Sequence, residues 1–118
     1  MNVDSLREII PLSESEYCEE CQKEKLKGWT NSNGLEEKLI KLAEVEPFKS
    51  KGYETYNKGG EKPSSIDATA ALSYYPYNGS SVYQCGTCQC IILIYLETAG
   101  HGARYQARWI PSYIRLES

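Results

Sequence analysis

The chain has 118 residues, 41% of them apolar and 25% charged, and its 13 Lys and Arg against 16 Asp and Glu leave a net charge of -3. That length fits one domain, residues 1–118. The balance excludes a basic nucleic-acid tail, a collagen-like repeat and a fully disordered chain, and no apolar run approaches the roughly 18 residues of a membrane helix.

The first residues, MNVDSLR, lack the basic opening and the apolar stretch of a secretion signal, so a cytoplasmic location is expected. Val3, Leu6, Ile9 and Ile10 recur at helical spacing, with Asp4 as a candidate cap and Pro11 as the stop. Acids gather next: Glu14, Glu16, Glu19 and Glu20, with no base from Pro11 to Gln22. Such a cluster is either a solvated face or a docking patch for a basic partner. Residues 29–34 (WTNSNG) read as a turn. Residues 35–46 are predicted to be the main helix. Leu35, Leu39 and Leu42 share one side, Glu37 and Lys41 pair across the other, Asn33 and Glu36 resemble a capping box, and Pro47 ends it.

From residue 66 onward β-branched and aromatic residues become dense. Residues 68–75 suggest a strand and 76–79 (PYNG) a turn. Residues 91–97 are apolar on both alternating faces, with Ile91, Leu93 and Tyr95 on one and Ile92, Ile94 and Leu96 on the other. That pattern fits a central strand covered on both sides. After the glycine turn TAGHGA, residues 104–110 alternate, which predicts a half-buried antiparallel partner. A short final strand is expected at 113–116. The expected fold class is α+β: an antiparallel sheet from the C-terminal half, packed on the helix at 35–46.

The cysteines carry the most specific signal. Cys18-Glu-Glu-Cys21 and Cys85-Gly-Thr-Cys88 are two CxxC units. Two residues between thiols let one tight turn present both sulfurs to one ion, and two such turns complete a tetrahedral zinc shell. Gly86 is expected to ease the second turn. The 63 residues between Cys21 and Cys85 exceed the spacing of a compact zinc ribbon, so the metal would tie the acidic N-terminal segment to the sheet. Lys23, Lys25 and Lys27 would offset the thiolate charge. Structural zinc held by Cys18, Cys21, Cys85 and Cys88 as a pair of knuckles is the preferred reading. Buried free thiols and a redox or disulfide role are the alternatives. Cys90, the fifth thiol, reads as a core cysteine, with competition against Cys88 for the ion left open. His101, the only histidine, sits at a glycine-flanked tip that is a poor place for a ligand.

No catalytic set stands out: there is no phosphate-cradling GxxxxGK[ST], no dinucleotide fingerprint, and no Ser or Asp marked as a partner for His101. A zinc-knuckle nucleic-acid module is the second class, carried by Arg104, Arg108 and Arg115 interleaved with Tyr105, Trp109 and Tyr113. Strand alternation sends its bases and its aromatics to opposite faces, and the net charge opposes it. A protein-binding domain is the third, with Tyr74, Tyr75 and Tyr77 as candidate surface anchors among ten tyrosines.

Residues 28–48 (GWTNSNGLEEKLIKLAEVEPF) and 85–102 (CGTCQCIILIYLETAGHG) resemble small immunity proteins of bacterial polymorphic and contact-dependent toxin systems. The resemblance implies a stoichiometric inhibitor of one cognate toxin, often a basic nuclease, neutralised by capping its active site; with no catalytic set in the sequence, no enzymatic activity is expected. It assigns no residue. The acidic cluster at Glu14, Glu16, Glu19 and Glu20 is our own candidate for part of the contact.

Overall fold

The computed structural model describes residues 2–10, 18–24, 28–45, 54, 68–98 and 102–117. Two short helices come first, α1 (Val3–Ile9) and α2 (Glu19–Glu24). Seven strands follow: β1 (Thr30–Asn31), β2 (Ile40–Glu44), β3 (Ala70–Ala71), β4 (Ser81–Gln84), β5 (Ile91–Glu97), β6 (Arg104–Trp109) and β7 (Leu116–Glu117). Five of them form one antiparallel sheet in the order β1-β6-β5-β4-β2, and β3 pairs with β7 in parallel apart from it. The class is α+β, as expected.

The central pair is the one read from the sequence. β5 lies between β4 and β6, with Ile92 opposite Trp109 and Glu97 opposite Arg104. Both its faces are covered from Ile91 to Tyr95, whereas Leu96, expected on a covered face, is 45% exposed. Ile91 and Leu93, with Val82 of β4, join Leu6, Val45, Leu72, Tyr77, Ile110, Ile114 and Leu116 in one apolar cluster. Ile92 and Ile94 face the other way, with Ala107, Trp109, Cys21 and Cys90.

α1 forms as the spacing predicted, with Leu6 fully buried. Its cap is Asn2 rather than Asp4: the Asn2 side chain accepts the Ser5 backbone N–H at 2.9 Å.

The helix expected at 35–46 does not form. A 3-10 turn, Leu35–Glu37, leads instead into β2, which pairs with β4 along the sheet edge. Asn33 and Gly34 both take positive φ (52° and 81°), and the Ser32 hydroxyl donates to the Glu36 carboxylate at 2.6 Å. The turn starts at Gly34 with no side-chain cap and Glu36 is taken by Ser32, so the expected Asn33–Glu36 capping box is not made. The following residues also alternate, and the open edge of β4 offers them a ladder that local propensity does not outweigh. Leu35 and Leu39 remain half-buried against the cysteine cluster, whereas Leu42 is 40% exposed. Lys41 pairs with Glu44 at 3.3 Å, not with Glu37.

The strand expected at 68–75 shrinks to β3, and Tyr77 begins a 3-10 turn with its ring only 2% exposed, so it is no surface anchor. The half-burial by alternation expected of β6 is not found: the strand is exposed at Arg104 and Tyr105 and buried from Ala107 to Trp109. Arg108 is fully buried on the Leu93 side, where its guanidinium donates to the Tyr77 hydroxyl and to the Ala68 carbonyl. Trp109 is buried too, at 5% exposure. The arginine–aromatic series that suggested nucleic-acid binding therefore spends Arg108 and Trp109 in the core. Among the described residues no helix is long and apolar enough to cross a membrane.

Candidate metal centre

The two CxxC units meet on the Ile92 face of the sheet. Cys18 immediately precedes α2, and its carbonyl accepts the Gln22 N–H at 3.0 Å. Cys21 lies three residues on, one helical turn away, so both sulfurs project the same way. Cys85 and Cys88 sit in the six-residue connection between β4 and β5. That hairpin is closed by Cys85 N–H to Cys90 C=O at 3.1 Å and Gln89 N–H to Cys85 C=O at 2.9 Å. Gln89 takes φ +65°, while Gly86 stays out of the left-handed region. The turn therefore places its conformational demand on Gln89, not on Gly86 as expected.

The Sγ atoms of Cys18, Cys21, Cys85 and Cys88 all lie within 4.8 Å of one another. The Cys18–Cys85 separation is 3.8 Å and the Cys21–Cys88 separation 3.5 Å. A tetrahedron with metal–sulfur bonds of about 2.3 Å has sulfur–sulfur edges of about 3.8 Å. The four thiols are thus spaced to hold a metal ion with little rearrangement. Cys21 is buried and the other three are half-buried, under Trp109, Ile92, Leu35 and Leu39.

The environment divides the thiols. Burial opposes the Cys88 thiolate, but backbone N–H bonds from Cys18 and Cys90 outweigh it and bring Cys88 down from 9.0 to about 6. Burial, reinforced by the neighbouring Cys90 thiol, pushes Cys21 up. Burial likewise pushes Cys90 up to about 12. Without metal, the surroundings favour the thiolate at Cys88 and the protonated thiol at Cys21 and Cys90. Donation of N–H groups to sulfur is also how metal-bound thiolates are held.

Cys90 is fully buried and its Sγ lies 3.3 Å from that of Cys21, although it is not one of the four mutually close sulfurs. The sequence reading as a core cysteine caught its burial and missed this contact. Only the parity it shares with Cys88 pointed there. The four acids divide differently. Glu19 is exposed at the start of α2 and Glu20 follows it in that helix, while Glu14 and Glu16 lie outside the described residues, as does His101. No protein-family model matches the sequence, no curated protein matches it, and no solved structure matches the fold.

Proposed function

We propose that this chain is a zinc-stapled protein-binding domain that acts by docking one to one onto a partner protein, as an immunity protein does onto a basic toxin. The observation that carries the zinc reading is the convergence of four thiols from two distant segments within 4.8 Å. Four thiolates close the coordination shell, so the zinc is structural: it leaves no position for a water and activates no nucleophile. The supports for docking are the exposed Glu19 beside that centre and the exposed Ile40 and Leu42 on the edge strand β2.

Zinc is tested by elemental analysis of the purified, reduced chain, where one equivalent is expected. Cys85→Ser is expected to lose both the metal and much of the stability. A well-folded, metal-free protein with five titratable thiols would sink the assignment. Docking is tested by affinity capture at moderate salt, followed by reconstitution with the purified captured protein. A 1:1 complex with a basic protein is expected. Reversing Glu14, Glu16, Glu19 and Glu20 to Lys should then slow association and flatten its salt dependence. An unchanged on-rate removes the acidic patch from the account. Retention of RNA or DNA, lost as salt rises, overturns protein docking in favour of a nucleic-acid module.

A further inference from the structure

We propose that Cys90 makes this centre an oxidation site: a peroxide joins Cys21 and Cys90 in a disulfide, and the metal leaves. The proposal rests on the zinc reading above. A zinc ion that takes Cys18, Cys21, Cys85 and Cys88 leaves Cys90 uncoordinated, yet its sulfur lies 3.3 Å from that of Cys21. That separation is shorter than Cys21–Cys88 at 3.5 Å or Cys18–Cys85 at 3.8 Å. A disulfide needs about 2.05 Å, so of these three pairs Cys21 and Cys90 have the least distance to close. Cys88 is held by the metal while it is bound. Cys90 is not, which leaves it free to react.

The chemistry balances with hydrogen peroxide as the oxidant. The Cys21 thiolate attacks one peroxide oxygen; an S–O bond forms, the O–O bond breaks, and hydroxide leaves and is protonated to water. Cys21 is then a sulfenic acid and a weakened ligand. The Cys90 sulfur attacks the Cys21 sulfur; the S–S bond forms, the S–O bond breaks, and the departing hydroxide takes the Cys90 proton as a second water. Two electrons pass from the two sulfurs to the peroxide. Three thiolates remain for the zinc, which dissociates. The new bond still joins α2 to the residue just before β5, so the segment stays attached when the metal has gone. A thiol reductant regenerates both ligand and reserve.

Access sets the class of oxidant. Cys21 is 6% exposed and Cys90 not at all, whereas the neighbouring turn residues Gly86 and Thr87 are exposed and Cys88 is half-buried. A molecule as small as hydrogen peroxide reaches Cys21, and Cys90 then reacts from inside. Bulky disulfide reagents meet the half-buried Cys18, Cys85 and Cys88 first.

The test uses the zinc-loaded full chain and hydrogen peroxide. Released zinc is read with a chelating dye, and the disulfide is mapped by mass spectrometry after alkylation. One zinc is expected per disulfide, with Cys21 joined to Cys90, Cys88 still alkylatable, and the change reversed by dithiothreitol. Cys90→Ala should hold one zinc in reducing buffer and release it about tenfold more slowly under peroxide, because the resolving thiol no longer acts within the molecule. Cys90→Val, which keeps the buried volume, gives the same answer if the alanine variant packs poorly. Release at the wild-type rate from either folded variant overturns the proposal. So does a disulfide confined to Cys18, Cys21, Cys85 and Cys88 with Cys90 still a thiol. A reduced wild-type chain without zinc is a different failure, visible before peroxide is added: it removes the zinc reading and the release step with it.

Discussion

The two faces of the central sheet are closed by different chemistry. On the Leu93 face the covering is aliphatic and aromatic: Leu6 from α1, Tyr77, and Ile110, Ile114 and Leu116 from the C-terminal segment. On the Ile92 face it is Cys21 from a six-residue helix, with half-buried Cys18, Leu35 and Leu39 beside it. A helix that short has no stability of its own in water. The first face is closed by buried apolar side chains alone from three parts of the chain. The second has one buried cysteine and half-buried Leu35 and Leu39 where the first has a row of large buried side chains, and a metal held by the four thiols would supply what burial does not. The contrast teaches where this small chain spends its sulfur: on the face its apolar residues leave thin.

Removing zinc should break that contrast most visibly. With a chelator, amide hydrogen exchange is expected to speed up over residues 18–24 and 85–90, while the amides shared by β5 and β6 remain protected. Losing about 3 kcal/mol would lower the melting midpoint by more than 10 °C for a domain near this size. Uniform loss of protection over both faces would mean that the apolar face cannot stand alone.

The metal-free chain carries a pH signature. Cys88, lowered to about 6, should alkylate first, with a rate that is half-maximal near pH 6 and falls on further acidification. Cys90, pushed up to about 12, should alkylate last. The signs for stability are opposite. The Cys88 contribution is fully present above 9.0, its unfolded value, and is lost as pH falls through about 6. The Cys90 contribution is present below 9.0 and is lost as pH rises through about 12. Rates measured residue by residue check both.

On the aliphatic face, Leu93→Ala should cost about 2–5 kcal/mol, since Leu93 is fully buried between β4 and β6. Bound zinc should stay at one equivalent while the folded state persists. Denaturant unfolding followed by metal analysis separates the two effects. Loss of zinc at full foldedness would show that the faces are coupled through β5.

Much of this contrast is legible in the sequence. The double alternation from Ile91 to Leu96 marks a strand covered on both sides, because a surface strand would have shown polar residues at every second position. The paired CxxC units mark the sulfur cluster, because thiol spacing is a local property of one turn. What the sequence conceals depends on distant partners. Residues 40–44 satisfy a helical stripe and a strand about equally, and the edge of β4 decides between them. Arg108 reads as a solvent-facing charge until Tyr77 and the Ala68 carbonyl are brought to it across the fold. The Cys90–Cys21 contact spans 69 positions and has no local signature.

The smallest effect tests the turn that presents Cys85 and Cys88. Gln89 sits at φ +65°, where a side chain crowds the following carbonyl at a cost of about 1–2 kcal/mol. Gln89→Gly relieves that crowding but frees the unfolded chain, so a net gain of about 0.5–1 kcal/mol is expected. Gly86 is the control. Its backbone is not left-handed, and a Cβ added there would meet only the Ile40 Cδ1 at 3.5 Å, an ordinary contact. Gly86→Ala should therefore be neutral or raise stability by a few tenths of a kcal/mol, through the unfolded chain alone. Denaturant midpoints of the zinc-loaded variants measure both. If Gly86→Ala costs more than Gln89→Gly gains, the glycine is what shapes the knuckle, and the strain at Gln89 is not where this turn's energy lies.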